Sequence, residues 1–288
     1  MKIKRTRRPV LLAVGVLGLL MATFLWWVWR DVRRQRLDRA LIAAVNHIDA
    51  KSVVVLLDSG ANPDASDTPG QRFSLVRELK NLLERKPMPK YAGSPALILA
   101  IAGASSPYED RAGYARAVLI VKALLDHGAR VDSRDADGQD ILYLAVNPDY
   151  DQQILRLLLQ PHTKDIRLSL DRLNPLNDRT PLMSVAGWGG DETINLLCGA
   201  GSNVDVQDAD GQTALMYAVD KGRPKNIACL LANHANVRLK NNSGHTALSM
   251  ARSCFANKTV TPFNHETGAD FWPAIVRMLE KASRKQSR

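Results

Sequence analysis

The chain has 288 residues and a formal net charge of +10, but the excess is not spread along it. Residues 1–40 hold ten basic and two acidic residues, whereas residues 41–288 hold 29 and 27. This excludes a nucleic-acid footprint on the body of the protein, which needs clustered positive charge, and three cysteines cannot build a disulfide framework.

Residues 1–9 form a basic tail carrying Lys2, Lys4, Arg5, Arg7 and Arg8. From Val10 to Trp29 run twenty residues without a charge, the length of a transmembrane helix. Trp26, Trp27 and Trp29 crowd one end of the run, as in an interfacial aromatic belt. Trp and Arg follow it, not a small-x-small site, so an uncleaved anchor is expected in preference to a cleaved signal peptide. Residues 30–36 read as a basic juxtamembrane linker. Arg30, Arg33, Arg34, Arg36 and Arg39 on this side nearly balance the tail's basic residues under the positive-inside rule. The short basic tail resists translocation, so the N terminus is expected inside. The rest of the chain then lies on the non-cytoplasmic side, the periplasm if the cell is bacterial; the cytoplasmic side is the alternative. Residues 10–29 and their basic flanks are expected to meet membrane lipid.

Beyond the linker the chain is periodic. T-x-L recurs at Thr180, Thr213 and Thr246, each 33 residues from the next. The openings read N-D-R-T-P-L-M-S-V-A from Asn177, D-G-Q-T-A-L-M-Y-A-V from Asp210 and S-G-H-T-A-L-S-M-A from Ser243. Closings read L-L-D-S-G-A-N-P-D from Leu56 and L-L-D-H-G-A-R-V-D from Leu124. Gly93, Gly138, Gly211 and Gly244 share one position of the register, which Asp178 takes in another unit. The threonine hydroxyl suits a helix N-cap, Pro181 suits a first helical turn, and the closing glycine permits the left-handed turn that ends a second helix. A single unit cannot bury its own apolar face, so stability must come from stacking.

This pattern resembles the ankyrin repeat, with its D-G-x-T-P-L-H-x-A opening and L-L-x-x-G-A-D-V-N close. The resemblance covers residues 37–282 and implies an all-α fold. That fold is an ankyrin-repeat solenoid of helix-turn-helix units with short finger loops, here preceded by one transmembrane helix. Six units are expected, at 37–67, 93–137, 138–177, 178–210, 211–243 and 244–282, with 283–288 as a C-terminal tail. The family's histidine is absent, since Met183, Met216 and Ser249 stand at its position; Pro95 and Asp140 replace the threonine, and His234 the closing glycine.

The first three spacings exceed the period by 23, 12 and 7 residues. The 23-residue excess holds F-S-L-V-R-E-L-K-N-L-L-E from Phe73. Its apolar spacing predicts a helix over about 73–85, stopped by Pro87 and Pro89. That helix lies against the first two units or docks a partner helix. Shorter excesses near Ser105 and Asn257 read as loops, and Trp272 with I-V-R-M-L-E-K-A as a closing helix.

No catalytic constellation stands out. The histidines lack H-x-x-x-H spacing, and no Cys-x-x-Cys occurs, which argues against a metal centre. S-R-D-A-D-G from Ser133 fails as a calcium loop because Leu144 falls where the last acidic ligand belongs; the D-A-D-G strings read instead as tight finger turns. G-W-G-G from Gly187 lacks the Lys-Ser/Thr of a phosphate loop. No enzyme activity, metal or cofactor is expected. In ankyrin-like arrays fingers and first helices form a concave surface, and the resemblance aligns Trp188 with Lys221 at a solvent-facing position beside Tyr217. Trp188, Tyr217 and Lys221 are the candidate anchors for a protein partner, with Gln207, Asp210, Arg238 and Lys240 as a polar rim. The function expected is a membrane-anchored protein–protein interaction module. The alternatives are a dedicated inhibitor or immunity-type partner of an enzyme or toxin and, more distantly, an enzyme.

Overall fold

The computed structural model describes residues 7–67, 93–104, 110–135, 137–146, 152–160, 166–188, 190–257 and 271–287, without the side chains of residues 7–16 and 168. The helix expected over 73–85 and the loops expected near Ser105 and Asn257 fall wholly or largely outside the described residues.

The first element is one continuous helix, α1 (Arg7–Asn46), 40 residues long and therefore about 60 Å from end to end. The segment 30–36, expected as a linker, lies inside it, because arginine and glutamine are good helix formers and no glycine or proline breaks the run. From residue 17 to 29 its side chains are largely exposed on every side, including Leu17, Leu19, Phe24, Trp26 and Trp29. Farther along, Leu41, Ala44 and Val45 are buried at helical spacing. One helix is thus a bare apolar rod at one end and the first repeat helix at the other. Among the described residues no helix is long and apolar enough to cross a membrane. Residues 10–16 of the uncharged run lie outside the described side chains.

The repeats follow as helix pairs. The last part of α1 pairs with α2 (Ala50–Asp58), α3 (Ala96–Ala102) with α4 (Arg111–Asp126), and α5 (Ile141–Ala145) with α6 (Gln153–Leu158). After a single turn, α7 (Arg167–Leu170), come α8 (Pro181–Trp188) with α9 (Asp191–Gly199) and α10 (Ala214–Asp220) with α11 (Pro224–Ala232). The last pair is α12 (Ala247–Ala256) with α13 (Trp272–Lys285), the expected closing helix. First helices pack on first helices, as α8 does on α10 and α10 on α12, and second helices do the same. Ile194, Leu197, Ile227 and Leu230 fill the space between layers. Each such side chain contributes about 1.5–3 kcal/mol by leaving water.

Local chemistry fixes each unit. The Thr213 hydroxyl accepts the Met216 N–H at 3.3 Å, and Thr246 accepts from Ser249 at 3.2 Å. Ser249 returns the favour, its Oγ accepting the Thr246 N–H at 2.9 Å, and the Met183 sulfur does the same for Thr180 at 3.4 Å. The residue standing where the family has histidine therefore serves the cap. Register positions Gly93, Gly138, Asp178, Gly211 and Gly244 all have positive φ, and so do the closing residues Gly60, Gly128, Gly201 and His234. A Cβ on Gly211 would also sit 2.8 Å from Asn242 Oδ1, so both backbone and space demand glycine there.

The fingers form a row along the N-terminal ends of the first helices. In both D-A-D-G strings the first aspartate accepts two backbone N–H groups. Asp135 takes Asp137 at 3.0 Å and Gln139 at 2.7 Å; Asp208 takes Asp210 at 3.0 Å and Gln212 at 2.8 Å. These are the tight turns expected from the sequence. In the first finger, which joins the first unit to the second, β1 (Ser66–Asp67) pairs antiparallel with β2 (Ser94–Pro95). Carboxylates then link unit to unit: Asp38 accepts the Asn62 N–H at 2.7 Å, Asp64 that of Arg130 at 2.7 Å, Asp171 that of Asn203 at 2.8 Å, and Asp205 that of Asn236 at 2.8 Å.

Candidate protein-binding face

Three consecutive units bring polar aromatic side chains to the surface formed by fingers and first helices. At the far end of α8, Trp188 is 50 % exposed. One unit on, the Lys221 ammonium lies over its ring, 5.5 Å from the centroid. The same ammonium pairs with Asp220 at 3.0 Å, so the cation is held between a carboxylate and an indole. An indole half in water and braced by a cation is an anchor that loses little entropy when a partner covers it.

Nearer the fingers stands Tyr217, half-buried. Its hydroxyl donates to Asp208 Oδ2 at 2.6 Å, and the Arg179 guanidinium lies 4.5 Å from its ring centroid. Burial and the Asp208 carboxylate push the phenol above its ordinary range, against the opposing pull of Arg179, so it stays a neutral donor. Asn177 in turn donates to the Tyr143 hydroxyl. A strip of alternating aromatic and polar groups results, running from Tyr143 past Asn177, Arg179 and Tyr217 to Lys221 and Trp188.

The candidate rim behaves unevenly. Asp210 and Lys240 are exposed on their finger tips. Gln207 is committed elsewhere: its side-chain amide donates to the Gly211 carbonyl at 2.6 Å and to the Lys240 carbonyl at 2.9 Å, tying two fingers together. Arg238 is exposed, but its guanidinium meets the Ser287 hydroxyl at the C-terminal end. Sequence reasoning passed over Tyr143, Arg179 and Asp208. Asp208 carried a signal only as a turn residue; Arg179, aligned with Gln212 and Lys-free in every unit, carried none.

Two titratable groups off this face, Asp140 and Cys198, are structural. Asp140 is buried and receives Arg172 at 2.8 Å and Arg134 at 3.4 Å; burial pushes its carboxyl up against the pull of both arginines. Burial likewise pushes the Cys198 thiol up to about 11, which leaves it a packing residue and not a nucleophile. Among the described residues no group of three or more His, Cys, Asp or Glu side chains is arranged to hold a metal.

With this geometry in view, the similarities to known proteins are informative. A family model described as ankyrin repeats in three copies matches residues 111–208 and again 182–260, together more than half of the chain. An ankyrin repeat-containing protein of Treponema pallidum (strain Nichols) is 32 % identical over 133 residues, covering 46 % of this chain and 43 % of the relative. Palmitoyltransferase AKR1 of Lachancea kluyveri is 30 % identical over 141 residues, covering 49 % of this chain and 18 % of the relative. The chain thus spans less than half the length of either relative. Among solved structures, an ankyrin repeat domain of Acinetobacter baumannii AYE superposes with a TM-score of 0.56 at 22 % identity, covering 84 % of this chain and 97 % of that one. The ankyrin repeat protein EF0377 superposes at 0.54 and 23 % identity, covering 76 % and 93 %. At these identities the likeness speaks for the fold.

Proposed function

The chain belongs to the ankyrin repeat family, and from that premise we propose that it is a non-catalytic protein-binding module held at a membrane. Ankyrin repeats imply a protein–protein interaction module, and a preformed stack binds with little ordering cost. The observation that carries the reading is the exposed Trp188 braced by Lys221, beside the Tyr217–Arg179 pair. Trp, Tyr and Arg are the residue types that dominate binding energy at protein interfaces. The partner is a protein, without nucleic acid.

The anchoring half rests on the N-terminal rod. Residues 17–29 carry no charge and expose apolar side chains all round, a surface that water does not tolerate on an isolated helix. With the uncharged residues from Val10 they form a run of spanning length. The basic tail supports an N terminus inside, with the repeats on the non-cytoplasmic side.

A photo-crosslinking residue at position 188 of the full chain, in native membranes, tests the face. A discrete adduct is expected, with Tyr217→Ala lowering its yield about tenfold for a loss of 1–2 kcal/mol when read well below the variant's melting temperature. An adduct indifferent to Tyr217→Ala and Lys221→Ala would move the binding site elsewhere. A carbonate wash tests the anchor, since release of the chain into the supernatant defeats it. A reporter fused after Arg288, checked by protease protection, reads the side of the membrane.

A further inference from the structure

The fingers and the apolar rod lie at the same end of the first repeat helix. The Asn62 N–H donates to Asp38 at 2.7 Å, so the first finger sits level with Asp38 on α1. Arg30, where the uncharged run stops, is eight residues earlier on the same uninterrupted helix, a rise of about 12 Å. The other fingers join this level one by one: Asp64 holds Arg130, Asp171 holds Asn203, and Gln207 holds the Lys240 carbonyl at 2.9 Å. The opposite ends of the first helices carry Trp188 and Lys221, which the repeat register places level with His47, about 25 Å along α1 from Arg30.

We propose that α1 stands the array upright on the bilayer, with the finger row as its membrane-proximal edge and the Trp188–Lys221 end as its distal edge. The inference rests on the anchoring reading above. An α-helix does not bend freely, and residues 30–40 contain no glycine, proline or other kink-former. Because the first helices stack side by side on α1, the stacking direction then runs parallel to the membrane surface. The face built from fingers and first helices opens sideways, just above the headgroups. That face fits a partner anchored in the same bilayer, whose chain rises past Tyr217 and Trp188. The exposed carboxylates of Asp67, Asp137 and Asp210 on the finger tips keep the row from settling onto anionic lipid, while Arg30, Arg33 and Arg34 hold the base of the helix to it.

The full chain, reconstituted into vesicles with a headgroup-labelled energy acceptor, tests this. A fluorescent amino acid at exposed position 210, on a finger, is compared with one at exposed position 190, just past α8. Transfer is expected to be stronger from 210 than from 190, and five Gly/Ser residues inserted between Arg33 and Arg34 are expected to abolish the difference. Equal transfer from both positions, or the reverse order, overturns the proposal, and so does a difference that survives the insertion. Flotation of the same vesicles separates the two readings. A chain that floats but shows equal transfer loses only its upright orientation, whereas a chain that does not float loses the anchor and the orientation together.

Discussion

The third and fifth units begin with the same finger, D-A-D-G-Q, and part company at the next residue. The finger geometry is the same in both, down to the two N–H groups held by Asp135 and by Asp208. Then Thr213 caps its own helix, whereas Asp140 makes no capping bond and turns instead to Arg172 and Arg134. The helices differ accordingly, five and six residues in the third unit against seven and nine in the fifth. One substitution has exchanged a local hydrogen bond for a tie to an arginine 32 residues away. The fifth unit closes its first helix with a local cap, while the third ties its opening aspartate to Arg172 at its own far end and to Arg134 of the unit before.

Core truncations should strain this contrast most. Leu155→Ala and Leu230→Ala each remove a side chain no more than 1 % exposed, at a cost of about 2–5 kcal/mol. Hydrogen exchange should show the third unit opening first in Leu155→Ala, with the fifth still protected; simultaneous opening would mean the two units are one cooperative block. Next comes Arg172→Ala, expected to cost about 2 kcal/mol near neutral pH by leaving the buried Asp140 carboxylate with Arg134 alone. Asp140 has a folded-state pKa raised above the ordinary 3.8, so its protonated form favours the fold, and that contribution is lost as pH rises through the raised value. Removing Arg172 raises the value further. The penalty of Arg172→Ala should therefore shrink as pH falls toward that of a protonated carboxyl, as urea midpoints at neutral and mildly acidic pH would report. By contrast Thr213→Ala should cost about 1 kcal/mol with little pH dependence, the signature of a neutral cap.

The smallest effect has the opposite sign. His234 takes a closing glycine's place at φ 66, with its side chain exposed, so His234→Gly should gain up to about 1 kcal/mol in thermal melts. Asp178, at φ 54, is the counter-case. Its carboxylate accepts the Ala209 N–H at 2.6 Å, so Asp178→Gly exchanges relieved backbone for a lost inter-finger bond and should not stabilise.

What was legible in the sequence was what is local. Thr180, Thr213 and Thr246 announced the period because a cap bonds three residues ahead, and the glycine positions announced the turns because a backbone conformation needs nothing from elsewhere. The Asp140–Arg172 tie and the Asn177–Tyr143 contact join residues more than 30 positions apart, which no spacing rule connects. Gln207 was legible as a polar finger residue but not as a fastener, since its partner is a backbone carbonyl of the next finger. Segment 30–36 read as a linker from its charge; its arginines are equally at home on a helix surface, and there they sit. Trp188 and Lys221 were aligned by the repeat register, and stacking of neighbouring units is what brings cation to ring.

The row of carboxylates from finger to finger has a genetic reading. Asp171 and Asp205 hold the N–H of Asn203 and Asn236 through the same atom, at the same 2.8 Å. Excision of residues 178–210 would bring Asp171 opposite Asn236, in the place Asn203 had occupied. These two joints are interchangeable, so recombination between the copies that carry them would leave a seam of the same chemistry. The same excision would carry away Trp188, so the fold would outlast the proposed binding face.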